Sequence, residues 1–179
     1  MDVATVTAPW YDALMTVSGW VGARRRLVAG LSGAVLDVGC GTAAVALDLD
    51  LGAKYTGVDL SLAMLSRAQS GNVLCADCVA LPFPDDSFDH VVSSAVLGLI
   101  PPSRRRMALH EMARVSRGDL RILEPVAPLG PVRRTIALSR HPLRLDEMTE
   151  AGWCVEAVGP RLYAGVYTLV WAVPAGQSR

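Results

Sequence analysis

Lysine, phenylalanine and cysteine are scarce in this chain, and neither sign of charge is in excess. Lys54 is the single lysine, and 17 basic residues balance 17 acidic ones. A chain without net charge has no overall field that would attract nucleic acid or acidic substrates. We therefore expect no nucleic-acid partner, and we expect the arginine clusters 24–26 and 104–106 to form solvated helix faces.

The four cysteines are too few for a disulfide framework in a chain of 179 residues. Cys75 and Cys78 form a lone C-x-x-C pair. The pair lacks the second pair, or the suitably spaced histidines, that a zinc site requires. The expectation is four reduced thiols and no bound metal.

Long uninterrupted hydrophobic runs are also missing. The stretch that comes closest, 162–178, is broken by Gly165, Pro174 and Gly176, so it does not predict a membrane span. The N-terminus lacks the charged start and apolar core of a signal peptide. These absences predict a cytoplasmic protein without a transmembrane segment. The hydrophobic fraction of 51% is nevertheless high, which favours a homodimer interface or an apolar ligand.

The most informative segment is 35–43, where an apolar run leads through an acid into two glycines. Asp37 precedes Gly39 and Gly41. This order predicts a buried parallel strand, a tight turn and then a helix that begins near Thr42. Glycines let the backbone approach a ligand closely, and the first N–H groups of a helix bind anions. The segment therefore predicts a nucleotide-sized binding site.

A second acid follows the next predicted strand. Residues 55–61 read as a short strand that ends at Asp59, about 20 residues after the turn, where nucleotide-binding folds place a carboxylate on ribose hydroxyls. A carboxylate accepts two hydrogen bonds at once, so it suits a vicinal diol. Ser61 predicts the N-cap of a helix that runs toward Ser70. The alternative is that Asp59 only caps this helix.

A third segment distinguishes between families of nucleotide-binding proteins. Residues 72–89 consist of a strand, an acid at Asp77, Leu-Pro-Phe and then Ser-Phe-Asp, and residues 117–125 read Arg-Gly-Asp-Leu-Arg-Ile-Leu-Glu-Pro. Together with the glycine turn, these ordered motifs resemble those of the class I S-adenosylmethionine-dependent methyltransferases. The resemblance covers roughly residues 33–125.

The resemblance implies that the cofactor is S-adenosyl-L-methionine, and it gives individual residues a role. Asp77 would accept a hydrogen bond from the adenine amino group, and the backbone N–H of Cys78 would meet an adenine ring nitrogen. The strand that ends at Ser94 would run beneath the methionine portion. The expected cofactor-binding residues are Asp37, Gly39, Cys40, Gly41, Asp59, Leu60, Asp77, Cys78 and Ser94.

The expected fold is a Rossmann-like, doubly wound α/β domain. It has a seven-stranded, mostly parallel sheet with an antiparallel last strand and with helices on both faces. A single domain would span 1–179, divided into an N-terminal helical cover (1–31), a cofactor-binding core (33–125) and an acceptor-side connector with closing strands (126–179). Outside the motifs, we expect helices over 8–31, 104–116 and 146–151, and strands over 153–158 and 166–173.

The resemblance fixes no catalytic side chain, because methyl transfer from a sulfonium depends mainly on positioning and desolvation. Three side chains are candidates: Tyr11 in the N-terminal helix, His141 in the connector as a base near neutral pH, and Glu124 at the end of strand five. Each has a structural alternative. Tyr11 could pack on the sheet, and His141 could be an ordinary loop residue. Glu124 could satisfy backbone donors of the following turn.

The implied function is methyl transfer to a small or medium-sized, apolar small-molecule acceptor. Leu-Gly-Leu-Ile at 97–100 stands where many relatives carry Leu-His-His-Leu, and the connector after strand five is short. We therefore expect an open acceptor site, or one that a second subunit completes. The same departures leave an alternative: a non-catalytic, methyltransferase-like binding module. Asp77 argues against a nicotinamide-dependent oxidoreductase, in which Ala44 would replace the third glycine.

Overall fold

The computed structural model describes residues 19–125, 143–159 and 167–176. Within them, seven strands form one sheet in the order β3-β2-β1-β4-β5-β7-β6. The strands are β1 Gly33–Val38, β2 Ala53–Asp59, β3 Val73–Cys75, β4 Phe88–Ser94, β5 Ser116–Pro125, β6 Trp153–Val158 and β7 Tyr167–Pro174.

The strand directions confirm the predicted topology. β1 pairs in parallel with both β2 and β4, and the parallel pairing continues to β3 on one side and to β5 on the other. β7 runs antiparallel between β5 and β6. The carboxyl ends of the five parallel strands therefore meet at one edge of the sheet.

Helices of different length connect these strands. The α-helices are α1 Trp20–Val28, α2 Leu62–Leu65, α3 Pro102–Val115 and α4 Leu145–Glu150, and there are 3-10 helices at Ala44–Asp48 and Leu97–Leu99. Helices α3 and α4 lie within about two residues of the bounds that the sequence predicts.

The core has two halves, one on each face of the sheet. Leu36 and Val38 of β1 belong to a cluster that includes the buried side of α3, whereas Val35 belongs to a cluster that includes the buried side of α1. Successive side chains of a strand point to opposite faces, so α3 and α1 cover opposite faces. Helices on both faces are thus confirmed.

The α-helix predicted to begin near Thr42 is wrong, because the chain forms a 3-10 helix there. Ala44–Asp48 is a 3-10 helix, and the N–H of Ala46 donates to the carbonyl of Ala43 three residues earlier, at 3.1 Å. Ala43 itself has a left-handed φ of 56°. The glycine turn therefore leads into a short, tight helix, and the expected N-terminal amides of an α-helix do not carry the anion-binding argument here.

The helix expected to run toward Ser70 is also shorter than predicted. Ser61 is its N-cap, as predicted, since its Oγ accepts from the N–H of Met64 at 3.4 Å. The helix ends at Leu65. Just beyond it, the N–H of Gln69 donates to the carbonyl of Thr42 at 2.8 Å. This hydrogen bond connects the chain that follows the helix to the glycine turn.

The arginine clusters are only partly solvated. Arg105 is 1% exposed on the core side of α3, which makes the expectation of a solvated face wrong for this residue. Arg24 is mostly buried against Asp48, while Arg104 and Arg106 are exposed. The buried face of α3 consists of positions 105, 108, 109 and 112, and Arg105 stands on this face where an apolar residue is usual.

Several expectations fall outside the described residues. The cover helix is described only from residue 19, and Tyr11 and His141 lie in undescribed segments. All four cysteines are free thiols, as predicted. The described residues include no group of three His, Cys, Asp or Glu side chains placed to hold a metal ion. None of the described helices combines the length and apolar character needed to span a bilayer.

Candidate active site at the carboxyl edge of the sheet

The carboxyl edge of the parallel strands brings the predicted acids together. The register pairs Val38 of β1 with Val58 of β2 and with Ser93 of β4, and it pairs Asp59 with Cys75 of β3. The residues at and next to these positions therefore share one edge. Asp37, Asp59, Asp77 and Ser94 lie along it, and we call them the open cluster.

The glycine turn is held against the end of β2. The N–H groups of Gly39 and Cys40 both donate to the carbonyl of Val58, at 2.8 and 2.9 Å. Gly39 has a φ of 77° and Gly41 a φ of 56°, which glycine adopts without strain. The N–H of Gly41 donates to Oδ2 of Asp59 at 2.8 Å.

Packing provides a reason for glycine at position 39 besides the close approach to a ligand that the sequence predicts. A β-carbon there would lie within 2.9 Å of three side-chain carbon atoms of Val96, in the turn after β4. A β-carbon at Gly41 would meet only the flexible end of Met64, at 3.2 Å. Packing between two turns therefore requires Gly39, whereas the surface at Gly41 stays open.

Asp59 accepts hydrogen bonds from the glycine turn and from the residue that caps α2, and its predicted role at the ribose hydroxyls stays a prediction. Its Oδ1 accepts from the N–H of Ser61 at 2.8 Å, while Oδ2 accepts from the N–H of Gly41. It therefore joins the glycine turn to the start of α2. A carboxylate has about four acceptor sites, so two remain for a ligand.

Asp37 is a buried acid with one unused oxygen. Its Oδ2 accepts from the hydroxyl of Tyr55 at 3.0 Å, and its Oδ1 is buried without a partner. Burial raises the pKa of Asp37 to about 7, against the lowering effect of the Tyr55 hydrogen bond. Burial and the nearby carboxylates raise the pKa of Cys40 to about 12, so its thiol stays protonated at neutral pH.

Ser94 carries the second unused polar atom. Its hydroxyl is buried without a hydrogen-bond partner, and it shares this property only with Asp37 among the side chains of the described residues. The neighbouring hydroxyl of Ser93 donates to the carbonyl of Val38 at 3.1 Å. Buried polar groups in native proteins are nearly always paired. Two orphaned atoms at adjacent strand ends therefore fit a polar ligand.

Asp77 lies at the more exposed end of the site. Its Oδ1 accepts from the N–H of Val79 at 3.2 Å, and its Oδ2 accepts from Arg104 at 2.6 Å. The hydrogen bond from Arg104 lowers the pKa of Asp77. Next to it, burial raises the pKa of the half-buried Cys78 to about 11. Leu60 is 66% exposed at the end of β2, so it offers an apolar surface beside these acids.

Glu124 holds the turn after β4. It is buried, and its two carboxylate oxygens accept from the N–H groups of Val96, Leu97 and Gly98 at 3.1, 2.8 and 3.2 Å. Burial nevertheless raises its pKa to about 7. The sequence predicted, as a structural alternative, that Glu124 accepts from backbone N–H groups of the turn after β5. It does accept from backbone N–H groups, but they belong to the turn after β4. Its role as a catalytic group stays a prediction.

Sequence reasoning missed the residue that completes this turn. Arg105 donates to the carbonyl of Leu97 at 3.1 Å, and two of its nitrogens bond the carboxylate of Glu147 at 2.6 and 2.8 Å. The helical spacing of buried positions in α3 could have singled it out from its neighbours. We call residues 96–98, with Glu124 and Arg105, the clamped turn.

Comparisons with known proteins agree with this geometry. Residues 36–122 match the family model described as a methyltransferase domain. The sequence has no significant match among curated proteins.

Three solved structures illustrate the fold. A chain from the complex between the Haloferax volcanii Trm112 methyltransferase activator and a methyltransferase has a TM-score of 0.75 at 18% identity, covering 99% of this chain and 100% of its own. The [4+2]-cyclase SpnF has a TM-score of 0.68 at 22% identity, covering 93% of this chain and 83% of its own. An S-adenosylmethionine-dependent methyltransferase from Mesorhizobium loti has a TM-score of 0.65 at 20% identity, covering 87% and 97%.

At these identities the neighbours establish the fold, and the same fold supports different reactions. The family match supplies the more specific information, since it spans the glycine turn, Asp37, Asp59, Asp77 and most of strand β5. Residues 36–122 thus match the methyltransferase-domain family, and the described residues have the fold of the class I S-adenosylmethionine-dependent methyltransferases.

Proposed function

We propose that the protein binds S-adenosyl-L-methionine in the open cluster and transfers its methyl group to a small or medium-sized, apolar acceptor. The observation that carries the proposal is the pair of buried, unpartnered atoms, Oδ1 of Asp37 and Oγ of Ser94, next to the glycine turn. Leaving them unpaired costs free energy, which a polar ligand would recover.

The residues of the open cluster suit the parts of this cofactor. Asp37 would face its ammonium group and Ser94 its methionine portion. Asp59 has spare acceptor sites for the ribose hydroxyls, and Asp77 is an acceptor for the adenine amino group. The exposed side chain of Leu60 would cover one face of the base. Cys40 and Gly41 would contribute backbone to the same surface, and the N–H of Cys78 would meet a ring nitrogen.

The cofactor would supply an activated methyl group, and the chain would supply position and a dry environment. Glu124 has three backbone donors on its carboxylate, so we assign it the support of the clamped turn rather than a contact with the acceptor. Tyr11 and His141 remain the candidates for contact with the acceptor.

An apolar acceptor is supported by the composition and by exposed side chains near the site. Hydrophobic residues make up 51% of the chain, and Leu99, directly after the clamped turn, is 52% exposed. An exposed apolar side chain beside a polar cofactor site favours binding of an apolar molecule.

Calorimetry with S-adenosylhomocysteine and with NAD tests the cofactor. Binding of the first and not of the second supports the proposal, and the reverse result would replace it with an oxidoreductase. Transfer of labelled methyl groups to a panel of apolar compounds, set beside a polar panel, then tests the acceptor. Tight binding without transfer to any compound would favour the non-catalytic module.

A second subunit is part of the proposal, because the acceptor side has a short connector. Sedimentation of the purified protein reports a homodimer directly. Mixing an Asp59→Ala variant with a His141→Ala variant then tests for a shared site. Recovered activity in the mixture supports residues from two subunits in one site, and additive loss shows that each chain has a complete site.

A further inference from the structure

Arg104 reaches from α3 to the acid at the outer end of the open cluster. One of its terminal nitrogens donates to Oδ2 of Asp77 at 2.6 Å, across 27 residues of sequence. The two side chains are 50% and 33% exposed. This ion pair is therefore close to solvent, and one of its two members, Asp77, is the residue predicted to bind adenine.

Arg104 binds the one carboxylate oxygen of Asp77, Oδ2, that no other described residue contacts by a hydrogen bond. Oδ1 of Asp77 is turned toward its own backbone, where it accepts from the N–H of Val79. Oδ2 receives only Arg104 among the hydrogen bonds of the described residues. A ligand amino group that approaches Asp77 from outside therefore meets the oxygen that already holds a guanidinium.

The stability of α3 does not account for an arginine at this position. Arg104 stands in the first turn of the helix, and that turn contains no acidic residue. Positive charge is unfavourable at a helix N-terminus, where the helix dipole is itself positive. The contact with Asp77 offsets this disadvantage and is the interaction that the structure provides for the Arg104 charge.

We propose that Arg104 competes with the cofactor's adenine amino group for Asp77 and thereby limits affinity. The inference rests on the proposed function, in which Asp77 accepts from that amino group. On binding, the guanidinium leaves Oδ2 and turns into solvent, which is inexpensive because the side chain is already half exposed. Each binding event then exchanges an ion pair for a hydrogen bond.

The test compares Arg104→Met with Arg106→Met in calorimetric titrations. Arg106 lies on the same helix and is similarly exposed, and its one ion pair within the described residues is a long contact of 3.7 Å with Glu150. Because exposed ion pairs contribute modestly, we expect Arg104→Met to bind S-adenosylhomocysteine about two- to fivefold more tightly than the wild type. Arg106→Met should bind as the wild type does.

A deaminated ligand separates competition for the amino group from a general effect of charge. The purine (nebularine) analogue of S-adenosylhomocysteine has a hydrogen atom in place of the amino group and keeps its ring nitrogens as acceptors, so it cannot donate to Asp77. Its affinity should be the same in wild type and Arg104→Met. Added salt should narrow the difference between the two proteins for the adenosyl ligand, since salt screens an exposed ion pair.

The outcomes are distinct. Unchanged or weaker binding of S-adenosylhomocysteine by Arg104→Met overturns the inference alone, and so does equal tightening for both nucleosides. Failure of the wild type to bind S-adenosylhomocysteine overturns the proposed function and the inference with it. Thermal unfolding without ligand checks that each variant is folded, and Arg104→Gln replaces the methionine variant if that protein unfolds.

Discussion

The open cluster and the clamped turn lie at the same edge of the sheet, but they differ in whether their buried polar atoms have hydrogen-bond partners. In the clamped turn, three backbone N–H groups share the carboxylate of Glu124, and Arg105 satisfies the carbonyl of Leu97. In the open cluster, Asp37 and Ser94 each keep a buried atom without a partner. Saturated networks rigidify a fold, while unsatisfied ones cost stability and are retained where a ligand binds.

The two regions nevertheless depend on each other through one contact. Val96 of the clamped turn occupies the space where a β-carbon at Gly39 would lie. The clamped turn thus determines the shape of the glycine turn, where we propose that the ligand binds. Changes in the clamped turn should act on stability, and changes in the open cluster should act mainly on binding.

The largest effect is expected for Arg105→Met. The substitution leaves Glu147 and the carbonyl of Leu97 without their buried partner, so the free energy of unfolding should fall by about 3 kcal/mol. Urea denaturation measures the loss. Arg106→Met is the matched control, and as an exposed change it should stay within about 0.5 kcal/mol of the wild type. Equal losses in the two variants would show that the clamp contributes nothing.

Gly39→Ala tests the contact between the two regions. The new β-carbon collides with Val96 and the residue has a left-handed φ, so the free energy of unfolding should fall by about 2 kcal/mol. Adding Val96→Ala should recover about 1 kcal/mol in a double-mutant cycle. Gly41→Ala serves as the comparison, since its β-carbon meets only Met64. If the double variant recovers nothing, Val96 is not what requires glycine at position 39.

The strands were predictable because their pattern is local. Apolar and β-branched residues run up to an acid in β1 and β2, and the sequence places each of these acids at the correct strand end. The length of the helix after Ser61 was not predictable: it ends at Leu65, and four residues later the N–H of Gln69 bonds to Thr42 of the glycine turn. Helical propensity does not contain that contact.

The candidate site was predictable in its residues and not in its contacts. The resemblance brings Asp37 and Ser94 into one site, and the structure places them at adjacent strand ends. Arg104 and Arg105 look alike in sequence, yet one pairs with Asp77 at the surface and the other with Glu147 in the core. Only the orientation of α3 on the sheet separates them.

Asp37→Asn tests the open cluster by pH dependence. A pKa near 7 means that the carboxyl group is largely neutral at pH 6 and ionised at pH 8. If its charge faces the cofactor's ammonium group, affinity for S-adenosylhomocysteine should rise over this range in the wild type. In Asp37→Asn, affinity should be about tenfold lower at pH 8 and nearly independent of pH.

Glu124→Gln is the control for that titration, because burial raises the pKa of Glu124 to about 7 as well. It lies in the clamped turn, so the variant should keep the pH dependence of binding while losing stability. A flat binding profile in Glu124→Gln, with an unchanged profile in Asp37→Asn, would reverse the assignment of the two acids.

The smallest expected effect concerns two alanines with left-handed φ values. Ala43 follows the glycine turn and has a φ of 56°, and Ala95 directly precedes the clamped turn and has a φ of 57°. Glycine would relieve about 1–2 kcal/mol of backbone strain and cost about 0.5–1 kcal/mol in the unfolded chain. Ala43 is fully buried, so losing its methyl group costs about 0.8 kcal/mol of hydrophobic stabilisation. This cost cancels the net gain from relieving the backbone strain. Ala95 is only half-buried. We therefore expect Ala95→Gly to raise the free energy of unfolding by about 0.5 kcal/mol and Ala43→Gly to leave it unchanged, with thermal unfolding as the measurement. The opposite order would mean that strain is stored at the glycine turn and not at the entrance to the clamped turn.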